Sequence, residues 1–177
     1  MNAETDTDHT DRTDHTGRKP IVKEAPVVTA VTRISAPVEE VWRVVVAFDQ
    51  YSQWHPVLSL DAKPEQVVVG AEVPGRVSGG DTDERDVTMR IVDVEAPHRL
   101  VWEGGSLDAI LGRHSFVLTP QSDGTTEFTD SEEFFGPAAA ELIPTLDQLT
   151  EEYSRNGAAL QARVEGLVDF RPAPGPP

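Results

Sequence analysis

The chain has 177 residues and a mass of 19.3 kDa, the size of one ordinary domain that can bury a core without disulfides or metals. Its 15 Lys and Arg against 31 Asp and Glu give a net charge of −16, which would repel nucleic acid and anionic lipid headgroups. Cysteine is absent, so disulfides, thiolate nucleophiles and cysteine metal sites are excluded.

Both ends of the chain are predicted to lie outside the fold. Residues 1–20 form an acidic tail without apolar periodicity, and residues 171–177 are rich in proline, so we expect both segments to be disordered and the domain to span 21–170. The N-terminus has neither the basic start nor the apolar middle of a signal peptide. No apolar run approaches the roughly 18 residues of a membrane span. We therefore expect a cytoplasmic protein with no membrane span.

The first part of this domain predicts a strand followed by two short helical pieces. Val27 to Ile34 is apolar and β-branched, as in a strand, and Pro37 then suits the first turn of a helix. After Pro37, apolar residues recur at the spacing of one helix face: Val38, Val41, Trp42, Val45 and Phe48. Residues 49–56 interrupt that pattern with three aromatic rings and a proline, which indicates a short turn or helix.

The second part of the domain predicts a run of antiparallel strands and one long helix. The strands fall at about 57–63, 71–78, 84–95, 98–104, 110–119 and 125–134, and short turns between several of them favour hairpins. The final helix carries one apolar stripe: Leu142, Leu146, Leu149, Tyr153, Leu160, Val164 and Leu167. Gly157 interrupts this stripe, which either leaves room between helix and sheet or permits close packing.

Several short motifs occur in the order typical of one family. They include the stretch from Ile34 to Trp42, the sequence Tyr51-x-x-Trp54-x-Pro56, the sequence from Arg99 to Trp102, and His114-x-Phe116-x-Leu118-x-Pro120. Together they resemble the SRPBCC superfamily, which includes START lipid-transfer domains, plant pathogenesis-related allergens and bacterial polyketide cyclase/dehydrases. The resemblance implies an α+β helix-grip fold, in which a curved seven-stranded antiparallel sheet wraps a long C-terminal helix. His55 departs from the asparagine that the resemblance leads us to expect.

Strand alternation predicts which side chains face the helix, because successive residues point to opposite faces. The most apolar set is taken as the inner face: Met89, Ile91, Leu100, Trp102, His114, Phe116, Leu118, Phe128, Asp130, Glu132 and Phe134. Two carboxylates thus lie on an apolar face beside an imidazole, where burial and charge shift pKa values. A register shifted by one residue would turn Glu127 and Glu133 inward instead.

His114, with Asp130 or Glu132, is the predicted catalytic group, since a carboxylate-oriented imidazole can act as general acid or base on an enolisable or hydratable substrate. A purely structural pair is the alternative. The predicted ligand contacts are apolar or aromatic, with ordinary core packing as their alternative: Tyr51, Trp54, Met89, Ile91, Trp102, Phe116, Phe128, Phe134, Tyr153 and Gly157. The five histidines are scattered and no phosphate loop or nucleotide fingerprint occurs, so we expect neither metal nor cofactor.

Three functions fit this pattern. The protein is an enzyme of cyclase or dehydratase type, a carrier or sensor of a hydrophobic or aromatic small molecule such as a polyketide or lipid, or a protein-interaction module of the co-chaperone-activator type. The first two hypotheses are favoured, because polar side chains in an apolar cavity are costly and are rarely incidental. The resemblance does not choose between them, since one fold supports many functions. The sequence does not define the oligomeric state.

Overall fold

The computed structural model describes residues 25–79 and 82–169, so the predicted tails at 1–20 and 171–177 lie outside the described residues. Two α-helices are present in this part of the chain, α1 at Val38–Val45 and α2 at Leu146–Asp169. Short 3₁₀ helices occupy Phe48–Gln53, Pro64–Gln66 and Ala139–Thr145. The strands are β1 Val27–Ile34, β2 Leu58–Leu60, β3 Glu72–Gly79, β4 Thr82–Glu95, β5 Arg99–Gly105, β6 Leu111–Pro120 and β7 Thr126–Phe135.

The strands form one curled antiparallel sheet in the order β1-β7-β6-β5-β4-β3-β2, and α2 packs across it as the helix-grip fold requires. The predicted fold class is therefore confirmed. The predicted strand at 57–63 is shorter in the structure, because the chain leaves the sheet at Asp61 and turns into a 3₁₀ helix at Pro64. The strand register shifts within the β3/β4 pair and within the β4/β5 pair. Such irregularities bend and twist a sheet, which is consistent with the curvature of this one.

Helix α1 buries the apolar face that the sequence predicts, with Val41 and Val45 fully inaccessible to solvent. Glu39 and Glu40 stand in its first turn, where they complement the positive end of the helix dipole. The short 3₁₀ helix that follows buries Phe48 and Tyr51 completely. Both elements therefore contribute buried side chains to the main core.

Helix α2 begins one turn later than its apolar stripe, because Pro144 lies in the preceding 3₁₀ helix. Leu160 and Val164 are each 1% exposed and pack in the main core. Leu167 is 45% exposed, so the stripe predicted to be buried ends before this residue. None of the helices in the described residues combines the length and apolar character that a membrane crossing requires.

Aromatic side chains occupy much of the space that the sequence predicts to be an internal cavity. Trp102 and Phe116 lie 4.7 Å apart between ring centroids, and Phe116 lies 5.0 Å from Phe128. All three rings are at most 3% exposed. Two grooves of about 490 and 430 Å³ lie elsewhere, one lined by β2, β3 and β4 and the other by α1 and the end of α2. These three rings thus occupy part of the inner space.

Candidate functional site

The sheet register brings the predicted catalytic residues together. On β6 and β7, His114 is the direct partner of Glu132, while Phe116 is the partner of Asp130. Asp130 is therefore diagonal to His114 on the same face of the sheet. Glu127 and Glu133 are exposed on the opposite face. The structure therefore has the register that turns Asp130 and Glu132 inward, and not the one that would turn Glu127 and Glu133 inward.

His114 and Asp130 form a close polar pair on this inner face. His114 Nε2 lies 2.5 Å from Asp130 Oδ1, and the two side chains are 13% and 1% exposed. The second imidazole nitrogen, Nδ1, lies 4.0 Å from Glu132 Oε2. Burial acts to lower the pKa of His114, but the charge of Asp130, the hydrogen bond to it and the charge of Glu132 outweigh burial and raise this pKa. Asp130 thus holds Nε2, while Nδ1 is directed toward Glu132 without a hydrogen bond to it.

A second polar pair joins the sheet to α2. Tyr153 donates its hydroxyl hydrogen to Glu132 Oε2, and Glu132 keeps 19% of its side chain exposed. Burial first and the charge of Glu132 second raise the pKa of Tyr153, so its hydroxyl keeps its proton and acts as a donor. A Cβ added at Gly112 would lie 1.9 Å from Glu132 Oε1. The absence of a side chain at residue 112 is therefore what lets Glu132 fold over β6.

Aromatic rings surround the imidazole of His114. Its ring centroid lies 4.7 Å from Trp102 and 5.0 Å from Phe116, and it is stacked on Tyr153 at 5.2 Å with 20° between the planes. Rings on these sides restrict the orientation of the imidazole. They also lower the local polarity, which strengthens the interaction of His114 with Asp130.

Two buried polar atoms near this site lack a hydrogen-bond partner among the described residues. One is Asp130 Oδ2, the oxygen that does not contact His114, and the other is the indole nitrogen of Trp54. A buried polar atom without a partner carries a desolvation penalty of about 1–3 kcal/mol. A carboxylate oxygen suits a ligand donor and an indole N–H suits a ligand acceptor, so both atoms are suited to polar groups of a ligand.

The other predicted ligand contacts fall into separate groups. Tyr51 and Trp54 lie 4.7 Å apart between ring centroids, and the fully buried Tyr51 donates a hydrogen bond to the Val45 carbonyl oxygen at 2.7 Å. Burial and then the charge of Asp130 raise the pKa of Tyr51, which indicates that these aromatic rings lie near the His114 site. Met89, Ile91 and Phe128 belong to the main core, and Phe134 lies with Tyr153 in a second cluster.

Gly157 lies where α2 crosses β1. A Cβ at this residue would lie 2.1 Å from Thr32 Oγ1, so the glycine brings the helix directly against the strand. No open space separates the two elements at this point. Close packing therefore accounts for the gap in the apolar stripe, and a ligand contact at Gly157 stays a prediction.

His55 is a residue at this site that the sequence pattern does not identify. It stacks on Tyr51 with 5.6 Å between centroids and 8° between planes, and it lies 5.3 Å from Trp54. Burial first and the charge of His114 second lower its pKa to about 3. Strand alternation does not apply to His55 because it follows a 3₁₀ helix. The one signal in the sequence that could have pointed to residue 55 is the histidine itself, which stands where the family resemblance leads us to expect asparagine.

Residues 25–165 match the family of polyketide cyclase / dehydrase and lipid transport proteins. The chain belongs to this family, which is part of the SRPBCC superfamily that the sequence motifs indicate. No curated protein sequence matches the chain.

Solved structures share the helix-grip fold. DynU16, a protein of the dynemicin biosynthetic locus, is 24% identical with a TM-score of 0.59 over 78% of this chain, which spans only 47% of that protein. A protein from Arthrobacter aurescens is 17% identical, with a TM-score of 0.62 and coverage of 80% of this chain and 87% of that one. For Ara h 8.0201 the identity is 13%, the TM-score 0.61 and the coverage 80% and 99%. At these identities the likeness establishes the fold alone.

Proposed function

We propose that the protein binds a hydrophobic or aromatic small molecule at the inner face of its sheet and catalyses a proton transfer of the cyclase or dehydratase type. The observation that carries this proposal is the pair formed by His114 and the fully buried Asp130, 2.5 Å apart on an inner face that is mainly apolar. Burying a carboxylate is costly, and titratable groups whose pKa is shifted, as that of His114 is, concentrate at working sites. The family description, which joins polyketide cyclases with lipid transport, supports an apolar ligand.

The reaction follows from the two protonation states of His114. With Nε2 held by Asp130, neutral imidazole takes a proton at Nδ1 from a C–H bond next to a ligand carbonyl group. The electron pair of that bond forms an enolate, and the imidazolium returns the proton to carbon, or to a hydroxyl group that leaves as water. The raised pKa of His114 favours the acid form near neutral pH, which suits the second of these steps.

The ligand enters, in this proposal, where the inner face remains partly open. His114 and Glu132 are 13% and 19% exposed, and Trp54 and His55 are half-buried. The aromatic rings behind this opening are packed, so a large ligand requires them to move. Such packing equally suits a carrier that only encloses its ligand, and this is the second candidate function. A cytoplasmic location and the absence of a nucleic-acid partner are predictions of the sequence alone.

Deuterium exchange on a defined ketone tests the proposal. The protein is incubated with 2-acetylnaphthalene in heavy water, and NMR follows loss of the methyl signal as its protons are replaced. We expect the wild type to accelerate exchange and His114→Ala to lower that rate by about 10²–10⁴, the usual contribution of a general acid–base group. Replacing the exposed His98 by Ala provides the matched control, which should leave the rate unchanged.

The same variants separate the enzyme from the carrier. A carrier shows no accelerated exchange in the wild type, and His114→Ala changes only the affinity for the ketone, followed by quenching of tryptophan fluorescence. A structural pair gives a third result, in which His114→Ala lowers stability but leaves binding and exchange intact. Either result refutes the catalytic proposal.

A further inference from the structure

We propose that His55 is a fixed hydrogen-bond donor that binds the carbonyl oxygen of the ligand. This inference rests on the proposed binding of a ligand at the inner face, and it deepens that proposal by naming the residue that recognises the carbonyl group. His55 occupies the short loop that follows the 3₁₀ helix at Phe48–Gln53, between the aromatic side chains of that helix and β2.

The backbone of the loop fixes the tautomer of His55. The backbone nitrogens of Val57 and Leu58 lie 3.3 and 3.1 Å from His55 Nδ1, and both groups donate. A nitrogen that accepts hydrogen bonds from two backbone N–H groups carries no proton of its own. In neutral imidazole the proton must then reside on the other nitrogen, Nε2. The conformation of the loop therefore makes His55 a hydrogen-bond donor at Nε2.

Burial keeps this tautomer neutral across the physiological range. The pKa of His55 is lowered to about 3, first by burial and second by the charge of His114. Protonation would also place a hydrogen on Nδ1, against two backbone donors. The imidazole therefore does not exchange its proton with a ligand at neutral pH. Its one available action is to donate the hydrogen of Nε2.

No described residue accepts a hydrogen bond from His55 Nε2. The ring is nevertheless held rigidly, because it is stacked on the fully buried Tyr51 and lies 5.3 Å from Trp54. A rigid donor without a partner is typical of a group that acts on a ligand, because orientation is established before binding. The indole nitrogen of Trp54 is a second donor without a described partner in the same aromatic group.

The charges around the site select the chemistry of the acceptor. Asp130 and Glu132 are the carboxylates nearest to His114, and they disfavour a ligand that binds as an anion. A neutral carbonyl oxygen accepts a hydrogen bond without that repulsion. When His114 removes a proton next to the carbonyl group, negative charge develops on its oxygen, and a neutral donor at that position stabilises it. A ketone with an adjacent C–H bond satisfies both requirements.

Affinity for two matched probes tests the inference. The probes are 2-acetylnaphthalene and 2-ethylnaphthalene, which differ chiefly in the carbonyl oxygen, and quenching of tryptophan fluorescence reports their dissociation constants. In His55→Phe the ring is retained but the donor is lost. We expect the ratio of the ketone affinity to the hydrocarbon affinity to be about 3- to 10-fold lower in this variant than in the wild type, because one hydrogen bond usually contributes about this much.

Two further variants control this measurement. His55→Gln supplies an amide that can accept from the backbone and donate to a ligand, so it should recover most of the preference for the ketone. His98→Phe makes the same substitution at an exposed histidine and should leave the preference unchanged. Circular dichroism confirms that each variant folds. An unchanged ratio in folded His55→Phe, or no affinity of the wild type for either probe, overturns the inference.

Nitrogen-15 NMR of the wild type gives a readout that needs no ligand. We expect His55 to keep an unprotonated Nδ1 and a protonated Nε2 from pH 5 to pH 8. A titration within this range, or the opposite tautomer, contradicts the inference directly. Failure of the proposed catalysis is distinguishable, because it removes deuterium exchange while the ketone preference and the His55 tautomer persist.

Discussion

Asp130 contacts His114 at 2.5 Å although its direct partner in the sheet register is Phe116. The pair is thus diagonal across β6 and β7, and the residue opposite His114, Glu132, turns instead toward Tyr153 of α2. One imidazole therefore lies between two carboxylates that have different partners. As a result, Asp130 holds one nitrogen of His114, whereas the other nitrogen lies 4.0 Å from Glu132.

Protein stability should respond to pH through His114. Its pKa is raised in the folded protein, so the pair contributes stability that is fully present below the unfolded pKa of about 6.5 and is lost as the pH rises through the folded value. Urea unfolding at pH 6 and pH 9 should show a difference between wild type and His114→Gln that shrinks at the higher pH. A difference independent of pH would falsify the assigned charge state, and His98→Gln controls for loss of an exposed histidine.

Gly157→Ala should lower the free energy of unfolding by about 1–3 kcal/mol. The added Cβ would lie 2.1 Å from Thr32 Oγ1, and this overpacking outweighs the gain of about 1 kcal/mol from removing a glycine within a helix. Gly166 on the same helix has no atom within 4 Å of an added Cβ, so Gly166→Ala should stabilise the protein by about 0.5–1 kcal/mol. Equal effects in thermal unfolding would show that α2 and β1 are not in close contact.

Gly112→Ala should uncouple Glu132 from Tyr153. An added Cβ would overlap Glu132 Oε1, and the side chain must then move away from the tyrosine hydroxyl. In the wild type, Tyr153→Phe removes a hydrogen bond to a carboxylate and should cost about 1–2 kcal/mol. In the Gly112→Ala background the same substitution should cost much less.

A double-mutant cycle by urea unfolding measures this coupling. Gly104→Ala serves as the control background, because no atom lies within 4 Å of an added Cβ at this residue of β5. Full additivity of Gly112→Ala and Tyr153→Phe would mean that Gly112 does not position Glu132.

Leu160→Ala should destabilise the protein by about 2–5 kcal/mol, because this side chain is 1% exposed in the main core. Leu167 lies two turns later on the same predicted stripe but is 45% exposed, so Leu167→Ala should change the unfolding free energy by about 0.5 kcal/mol or less. Guanidinium unfolding of both variants tests whether the core ends between these residues. A large effect at Leu167 would place that end further along α2.

The sequence by itself predicts the elements and the inner face of the strands. Strand and helix periods are local properties, so alternation puts Asp130 and Glu132 on one face of β7 and favours that face, with His114 of β6, as the inner one. The sequence leaves open the register that would turn Glu127 and Glu133 inward, and the pairing of β6 with β7 decides between the two. The order of the motifs likewise indicates the helix-grip fold, which the structure confirms.

Only the tertiary structure decides which of these groups touch. The register and twist of β6 and β7 pair Asp130 with His114, and the docking of α2 brings Tyr153 to Glu132. Neither contact has a local sequence signal, because each depends on packing between elements that are distant along the chain. The same holds for His55, whose loop conformation fixes its tautomer, and for the aromatic rings that pack together at the inner face. Side-chain volumes and the curvature of the whole sheet determine that packing, and no local period encodes either of them.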